Sequence, residues 1–194
     1  SKLAHAIKER YGTGEHQLIQ DRLDFLLPQI RSAVGTDQWV NLHPEYQRRL
    51  VWDNKKKSLF IESLLMNIPI PPVFLFEAEL NRYEVMDGQQ RLNSIVEFYD
   101  GAFPLTGLES WSLLNGLRYR QFPEWLRRGL DRRKLSAIVI AAETKPAKAD
   151  PDLRRQVFER LNTGGQHLNA QELRNCLYSR EFNELLIELS SSSE

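Results

Sequence analysis

A change of hydrophobic period near the middle of the chain most constrains its fold. Residues 73–76 and 82–86 are short runs rich in β-branched and aromatic side chains, which predict two strands. After Asp87-Gly88 the period lengthens, because apolar residues recur at the i, i+3, i+4 and i+7 spacing of an amphipathic helix. The residues of that stripe are Leu92, Ile95, Val96 and Tyr99. The segment therefore predicts a strand, a second strand, a tight turn and a helix.

The flanking sequence predicts further elements on both sides of this unit. Residues 1–35 predict a helical segment that Pro28 breaks or bends, and residues 39–42 predict a short extended stretch. Asp53 or Asn54 is placed to cap the helix that follows. Helices are expected at about 54–66, 121–129, 151–161 and 169–189, and a buried strand at 135–141.

The composition gives no global indication of a nucleic-acid or membrane partner. In the 194 residues, Lys+Arg and Asp+Glu number 26 each, so any anion site must arise from local clustering. No apolar run approaches the roughly 18 residues of a membrane span, and no signal-peptide stretch is found. The sequence therefore predicts a cytoplasmic protein without a membrane partner. The histidines lack metal-ligand spacing and no P-loop motif occurs, which argues against zinc catalysis and P-loop NTPases.

The turn Asp87-Gly88-Gln89-Gln90-Arg91 is the strongest candidate for chemistry. It lies where a strand gives way to a helix, so backbone N–H groups without intrahelical partners, together with the helix dipole, form a ready anion site. Gly88 allows close approach to the backbone, and Arg91 offers a planar fork of donors that suits phosphate. The alternative is structural: Asp87 caps the helix, Gly88 makes the turn, and the other side chains are solvated.

The loop that follows a predicted helix near residue 160 could contribute to the same kind of site. Arg160 would contact phosphate, Asn162 would hold a hydrated Mg²⁺ or a phosphate, and the Gly164-Gly165 backbone would allow a ligand to approach closely. The alternative is that Gly164 is an ordinary helix C-cap.

Basic residues form two further clusters. Tyr46, Arg48 and Trp52 interleave aromatic and basic side chains, which can stack on a base and hold a phosphate. The alternative is that Trp52 belongs to the core and the arginines are solvated. Residues 118–134 gather seven Lys or Arg against two acidic residues. That stretch could contact DNA or RNA phosphates, or it could be an ordinary charged helix face.

Taken in this order, these segments resemble the DGQQR-motif, ParB/sulfiredoxin-like domain found at the N-terminus of GmrSD-type modification-dependent (type IV) restriction enzymes. The resemblance covers roughly residues 40–178. Its pieces are Tyr46-Gln47-Arg48 with Trp52, Ile68-Pro69-Ile70-Pro71, Asp87-Gly88-Gln89-Gln90-Arg91, Phe158-Glu159-Arg160-Leu161-Asn162-Thr163-Gly164-Gly165, and Leu168-Asn169 with Glu172-Leu173-Arg174-Asn175. Their co-occurrence is far more specific than the central five residues alone.

The resemblance implies an α+β fold: a small mixed sheet of the ParB/sulfiredoxin-like type with flanking helices and a C-terminal helical part. It divides the chain into an N-terminal helical segment at 1–38, a ParB-like nucleotide-binding core at 39–145, and C-terminal helices at 146–194 that complete the site. An HNH-type nuclease domain follows in many relatives, and these residues contain no such segment. A further C-terminal domain is therefore an expectation, and DNA cleavage by these residues alone is not expected.

The resemblance also implies a function, because relatives bind and hydrolyse nucleoside triphosphates (NTPs) with Mg²⁺, commonly to control a nuclease that attacks modified phage DNA. The expected protein is an NTP-binding and NTP-hydrolysing regulatory domain of an antiphage restriction system, with NTP and Mg²⁺ as cofactors. Expected nucleotide-binding residues are Tyr46, Arg48, Gly88, Gln89, Gln90, Arg91, Arg160, Asn162, Thr163 and Gly164. Expected catalytic residues are Asp87, Gln90, Arg91 and Glu172. Asn162 is the metal-ligand candidate, and either Asp87 or Glu172 would activate the water.

Two other functions remain open at this point. A ParB-like DNA-binding or nuclease module would use the basic stretch at 118–134. A non-catalytic interaction domain would bind nucleotide weakly or not at all. DNA would be contacted through a partner or a further nuclease domain, and a homo-oligomer is compatible with each of these functions.

Overall fold

The computed structural model describes residues 2–13, 18–35, 38–42, 52–142, 155 and 157–161. Its helices are α1 Lys2–Thr13, α2 Leu27–Ala33, α3 Asn54–Leu65, α4 Gln89–Asp100 and α5 Glu124–Asp131. Its strands are β1 Leu18–Leu26, β2 Val40–Asn41, β3 Val73–Glu79, β4 Arg82–Asp87 and β5 Lys134–Ala142. Single turns of 3₁₀ helix occupy Ser112–Leu114 and Tyr119–Gln121.

The chain divides into two compact units. One is Gln20–Ile140, and the other combines Ser1–Ile19 with Ala141–Glu194. Compactness alone does not delimit a functional domain, so the boundaries expected after residues 38 and 145 stay predictions.

The five strands form one mixed sheet in the order β1-β5-β3-β4-β2. Strand β3 is antiparallel to β4 and parallel to β5, while β2 is parallel to β4. Phe74 lies opposite Asp87, so the end of β4 lies beside the start of β3. The predicted α+β fold, a small mixed sheet with flanking helices, is confirmed.

The central strand β3 is buried on both faces, which explains its nearly continuous apolar sequence. Val73 and Leu75 belong to the main hydrophobic core, whereas Phe74 and Phe76 are buried on the opposite face. Helix α4 contributes Leu92 to the same core and packs against α2 and α3. Its N-terminus is therefore held beside the start of β3.

The helical prediction for residues 1–35 is only partly correct. Lys2–Thr13 and Leu27–Ala33 are helices, but Leu18–Leu26 is strand β1. In the second half of β1 the side chains alternate, with Leu23 and Phe25 turned inward between exposed neighbours, which is the strand period. Pro28 lies in the first turn of α2, a position where its missing N–H costs nothing, so it helps to begin that helix.

The other predicted elements are found where the structure describes them. The predicted strands 73–76, 82–86 and 135–141, the extended stretch 39–42, and the helices 54–66 and 121–129 are all confirmed, with small differences in their bounds. Asp53 caps α3, because its carboxylate accepts the Lys56 N–H at 2.8 Å. Arg155 and residues 157–161 are helical, whereas the helix predicted at 169–189 lies outside the described residues. Within the described part, no helix is both long and apolar enough to span a bilayer.

Candidate functional site

Gly88 makes the turn between β4 and α4 in a left-handed conformation, with φ of 96°. A Cβ at this position would lie 2.3 Å from Val73 Cγ1 and 3.1 Å from Arg91 Nη2. The glycine is therefore required twice, once by its dihedral angles and once by the packing of the turn against β3. The space that was expected to admit a ligand on this side of Gly88 is filled by Val73.

Arg91 is almost entirely buried beside this turn, with 8% of its surface exposed. Its Nη2 donates to Asp87 Oδ2 at 2.8 Å. Its Nη1 donates to the carbonyl oxygen of Pro71, with a longer contact of 3.4 Å to that of Pro72. One guanidinium thus joins the end of β4 to the chain that leads into β3.

The pKa of Arg91 reflects this burial. Burial lowers the pKa of Arg91 below its ordinary value, while the charge and hydrogen bond of Asp87 raise it. An arginine remains charged in proteins, so Asp87 and Arg91 form a partly buried ion pair within one turn of chain. Removing Asp87 would leave the guanidinium charge of Arg91 in a poorly solvated place.

Gln90 connects the same turn to a third segment. Its Oε1 accepts the backbone N–H of Trp52 at 3.0 Å, immediately before α3. The Trp52 ring packs edge-on against Phe60 at 5.7 Å, and Lys56 Nζ lies 5.0 Å from the ring centre. Trp52 therefore contributes to the core, which is the alternative that the sequence left open beside base stacking.

The predicted anion site depends on the backbone N–H groups at the start of α4. Gly88 occupies the N-cap position and has no side chain to cap the N–H groups of the first turn. Asp87 precedes this glycine, and one oxygen of its carboxylate accepts from Arg91. Gln89 begins the helix and is partly exposed. The helix dipole adds positive potential at this end.

The remaining predicted site residues are described only in part. Arg160 is helical and partly buried, and it belongs to the unit that includes Ala141–Glu194. The candidates outside the described residues are Tyr46, Arg48, Asn162, Thr163, Gly164 and Glu172. Their roles, including that of Asn162 toward a metal, stay predictions.

A divalent cation has few ligands to choose from in the described part. No group of three His, Cys, Asp or Glu residues there could hold a metal ion. Mg²⁺ commonly binds through one or two carboxylates together with substrate phosphates and waters, and it does not need such a cluster. Asp87 is the carboxylate at the turn, so the residues present are compatible with a Mg²⁺ ion that arrives with a nucleotide.

The partners of Gln90 and Arg91 could not be found by sequence reasoning. The sequence pattern indicates a role for the ring of Trp52, whereas Gln90 accepts a hydrogen bond from its backbone N–H. Pro71 and Pro72 predict an interruption of helix, but nothing in a proline pair indicates that its carbonyls will receive a guanidinium. Both contacts join residues about twenty to forty positions apart, so only the folded sheet brings them together.

The basic stretch 118–134 presents a distinct face of α5. Leu126 and Leu130 are buried, whereas Trp125, Arg128 and Arg132 are exposed on the opposite side. Trp125 is 68% exposed. Arg128 forms an exposed ion pair with the carboxylate of Glu124, one helical turn earlier. This outer face of α5 combines an aromatic ring with two guanidinium groups.

Comparison with protein families places the chain. Residues 35–179 match the family described as GmrSD restriction endonuclease, N-terminal domain. The chain therefore belongs to this family, and the restriction-type, antiphage context expected from the sequence is confirmed. A comparison with curated proteins gives no match, and neither does one with solved structures.

Proposed function

We propose that this domain binds a nucleoside triphosphate with Mg²⁺, hydrolyses it, and so regulates a restriction-type system. The observation that carries the proposal is the start of α4: a strand leads through Gly88, an N-cap residue without a side chain, into the first turn of a helix, and a partly buried ion pair fixes that turn. Helix starts of this kind favour phosphate, because the N–H groups and the dipole both attract negative charge.

The proposed phosphate contacts begin at the backbone N–H groups of this first turn. Gln89 lies at the turn and supplies a neutral donor. Arg48 and Arg160 are proposed to add the positive charge that a triphosphate needs, and Tyr46 to stack on the base. Thr163 and Gly164 are proposed as further nucleotide-binding residues.

The proposed hydrolysis requires few catalytic groups. Phosphoryl transfer depends mainly on positioning and on neutralising charge on the transferred group. Asn162 or Asp87 would hold the Mg²⁺, which screens the phosphate oxygens when the nucleotide is bound. The water is proposed to be oriented by Asp87 or Glu172.

The direct test offers the protein each of the four NTPs with Mg²⁺ and measures phosphate release and the shift of the unfolding temperature. We expect both with at least one nucleotide, and loss of both when the metal is chelated. A thermal shift without phosphate release would restrict the function to binding. Neither effect with any of the four would contradict the proposal and favour a non-catalytic interaction domain.

The Gln89→Glu variant locates the site. A carboxylate in the first turn of a helix interacts favourably with the helix dipole, so we expect the variant to fold, which circular dichroism checks. The same charge would repel a triphosphate, and we expect the dissociation constant to rise at least about tenfold, or about 1.4 kcal/mol. Gln121→Glu is the matched control, because Gln121 is exposed and its replacement can still accept the Arg118 N–H. Equal affinities in the two variants would place the nucleotide elsewhere.

A second candidate function is nucleic-acid binding through the outer face of α5. An exposed ring on the same helix face as two guanidinium groups is suited to stacking on a base while the phosphates are neutralised. The chain as a whole is electrically balanced, so the excess of five positive charges within 118–134 is a local feature. Binding of this kind weakens steeply as salt increases.

This candidate is tested with labelled single-stranded and duplex DNA at low and moderate salt. The Arg128→Ala/Arg132→Ala variant should lose affinity, and Trp125→Ala should lose affinity for single strands in particular. Arg22→Ala/Arg82→Ala is the control, since both residues are exposed cations elsewhere in the unit. Equal losses in the two double variants would mean non-specific attraction only.

A further inference from the structure

The turn at Gly88 joins three segments that are distant in the sequence. The end of β4 provides Asp87, the chain before β3 provides the Pro71 and Pro72 carbonyls, and the chain before α3 provides the Trp52 N–H. Gln90 and Arg91 are the side chains that make these connections. The sequence predicts that Gln90 and Arg91 contact phosphates.

The side-chain oxygen of Gln90 is committed to a peptide group. It accepts the Trp52 N–H at 3.0 Å, and Trp52 is itself fixed by its ring contact with Phe60. Turning Gln90 toward a ligand would leave this partly buried N–H without its acceptor. An unpaired buried donor is costly, so the contact favours one orientation of the side chain.

The guanidinium of Arg91 is committed in the same way. Its two terminal nitrogens point at different partners, Pro71 and Asp87, and the group is nearly enclosed by protein. Reaching a phosphate outside would break the ion pair with Asp87 and uncover the carbonyls. The planar fork of an arginine fits this divided role, and the single ammonium of a lysine does not.

We infer that Gln90 and Arg91 are positioning residues: they clamp Trp52, Pro71 and Asp87 around Gly88 and thereby aim the first turn of α4. Phosphate contact at this turn then falls to the backbone and to Gln89. This inference rests on the proposed function for its effect on nucleotide binding, but the clamp itself can be tested without any nucleotide.

The first experiment compares Gln90→Glu with Gln90→Leu. Glutamate retains an oxygen that can accept the Trp52 N–H, and leucine does not. Hydrogen exchange of the Trp52 amide, measured by NMR without nucleotide, should be slow in the wild type and in Gln90→Glu, and at least about tenfold faster in Gln90→Leu. Unchanged exchange in Gln90→Leu would overturn the clamp.

The same two variants separate positioning from direct contact once nucleotide is added. If Gln90 positions the turn, Gln90→Leu should weaken Mg²⁺-ATP binding more than Gln90→Glu does. If Gln90 donated to phosphate, glutamate would be the worse replacement, because it removes the donor and adds a repulsive charge. Affinities are measured at a temperature where circular dichroism shows all variants folded, and the order of the two decides.

Arg91→Lys provides an independent measurement. A lysine preserves the charge, so a direct phosphate ligand would be largely rescued, with the unfolding temperature unchanged. A positioning arginine would not be rescued, and Arg91→Lys should lower the unfolding temperature nearly as much as Arg91→Ala. If the wild type binds none of the NTPs, the proposed function fails, whereas the exchange and unfolding results still decide whether the clamp exists.

Discussion

Helix α4 has a glycine in the left-handed conformation at each end, and the surroundings of the two glycines differ. Gly88 precedes the helix with φ of 96°, and Gly101 follows it with φ of 73°. At Gly88 a Cβ would collide with Val73, whereas at Gly101 it would meet nothing within 4 Å. A left-handed glycine alone is therefore an ordinary helix end, and the packing around Gly88 is what makes the first end a fixed structure.

The polar contacts at the two ends of α4 also differ. At the N-terminal end a partly buried ion pair and two side-chain contacts to peptide groups join β3, β4 and the chain before α3. At the C-terminal end Tyr99 and Tyr119 donate their hydroxyl groups to Asp131, at 2.8 and 2.9 Å. The first end is therefore connected to segments distant in the sequence, and the second end is hydrogen-bonded to the neighbouring helix α5.

The largest expected effect comes from Gly88→Ala. The methyl group would overlap Val73, which costs about 1–3 kcal/mol, and the left-handed backbone adds roughly 1–2 kcal/mol. Gly101→Ala has only the cost of the left-handed backbone, so we expect its free energy of unfolding to fall by about 1–2 kcal/mol. Urea denaturation of both variants gives the difference. Equal losses would mean that Val73 moves aside without cost, and the contrast between the two ends would disappear.

The next effect comes from two arginines that both donate to backbone carbonyls. Arg91 is buried with Asp87, and breaking such a pair costs about 3–5 kcal/mol, so we expect Arg91→Ala to lose about 3 kcal/mol because Asp87 is partly solvated. Arg118 is exposed and donates to the Gly101 carbonyl at 2.6 Å, so Arg118→Ala should lose no more than about 1 kcal/mol. Comparable losses in urea denaturation would show that burial does not distinguish the ends.

The C-terminal end should be sensitive to alkaline pH. Burial, followed by the hydrogen bond and charge of Asp131, raises the pKa of Tyr119 from 10.0 to about 12, and the same causes raise the pKa of Tyr99 further. A group whose pKa is raised by folding stabilises the native state fully below its unfolded pKa. That contribution is lost as the pH rises from about 10 toward and beyond about 12.

The expected result is a fall in the free energy of unfolding across this alkaline window. Tyr99→Phe/Tyr119→Phe should be less stable at neutral pH by about 1 kcal/mol for each hydrogen bond, and its fall from pH 10 upward should be shallower. Urea denaturation at a series of pH values gives both quantities. Parallel curves for the wild type and the variant would mean that these hydroxyl groups are not the titrating ones.

The sequence predicted this helix better than it predicted the contacts that fix its ends. The stripe Leu92, Ile95 and Tyr99 specifies a buried face, because helical periodicity is a local property. The turn at Gly88 was also predicted, since a glycine between a strand and a helix is a local pattern. The contact of Gln90 with Trp52 depends on how the sheet brings distant segments together, and no local pattern carries that information.

The error at β1 has a related cause. Residues 18–30 contain enough apolar residues to satisfy a helical period, and Leu18–Leu26 nevertheless forms the first strand in the order of the sheet, next to β5. Ser136 donates its hydroxyl to Asp24 at 2.6 Å, a contact between residues more than one hundred positions apart. Pairing with β5 therefore outweighed local helix propensity, which is commonly a weak preference.

The smallest expected effect concerns a second ion pair, at the C-terminal end of α4. Asp100 accepts from Arg31 Nε at 2.6 Å, but both side chains are about half exposed, at 45% and 51%. Exposed pairs contribute about 0–1 kcal/mol, and a negative charge in the last turn of a helix opposes the helix dipole. We therefore expect Asp100→Asn to change the free energy of unfolding by less than about 0.5 kcal/mol in either direction. Asp87→Asn is the matched substitution at the other end of α4, where the arginine partner is buried and the loss should be several times larger. If Asp100→Asn proved as destabilising as Asp87→Asn, solvent exposure would not determine how much each ion pair contributes to the free energy of unfolding. The two ends of α4 would then be equivalent in this respect.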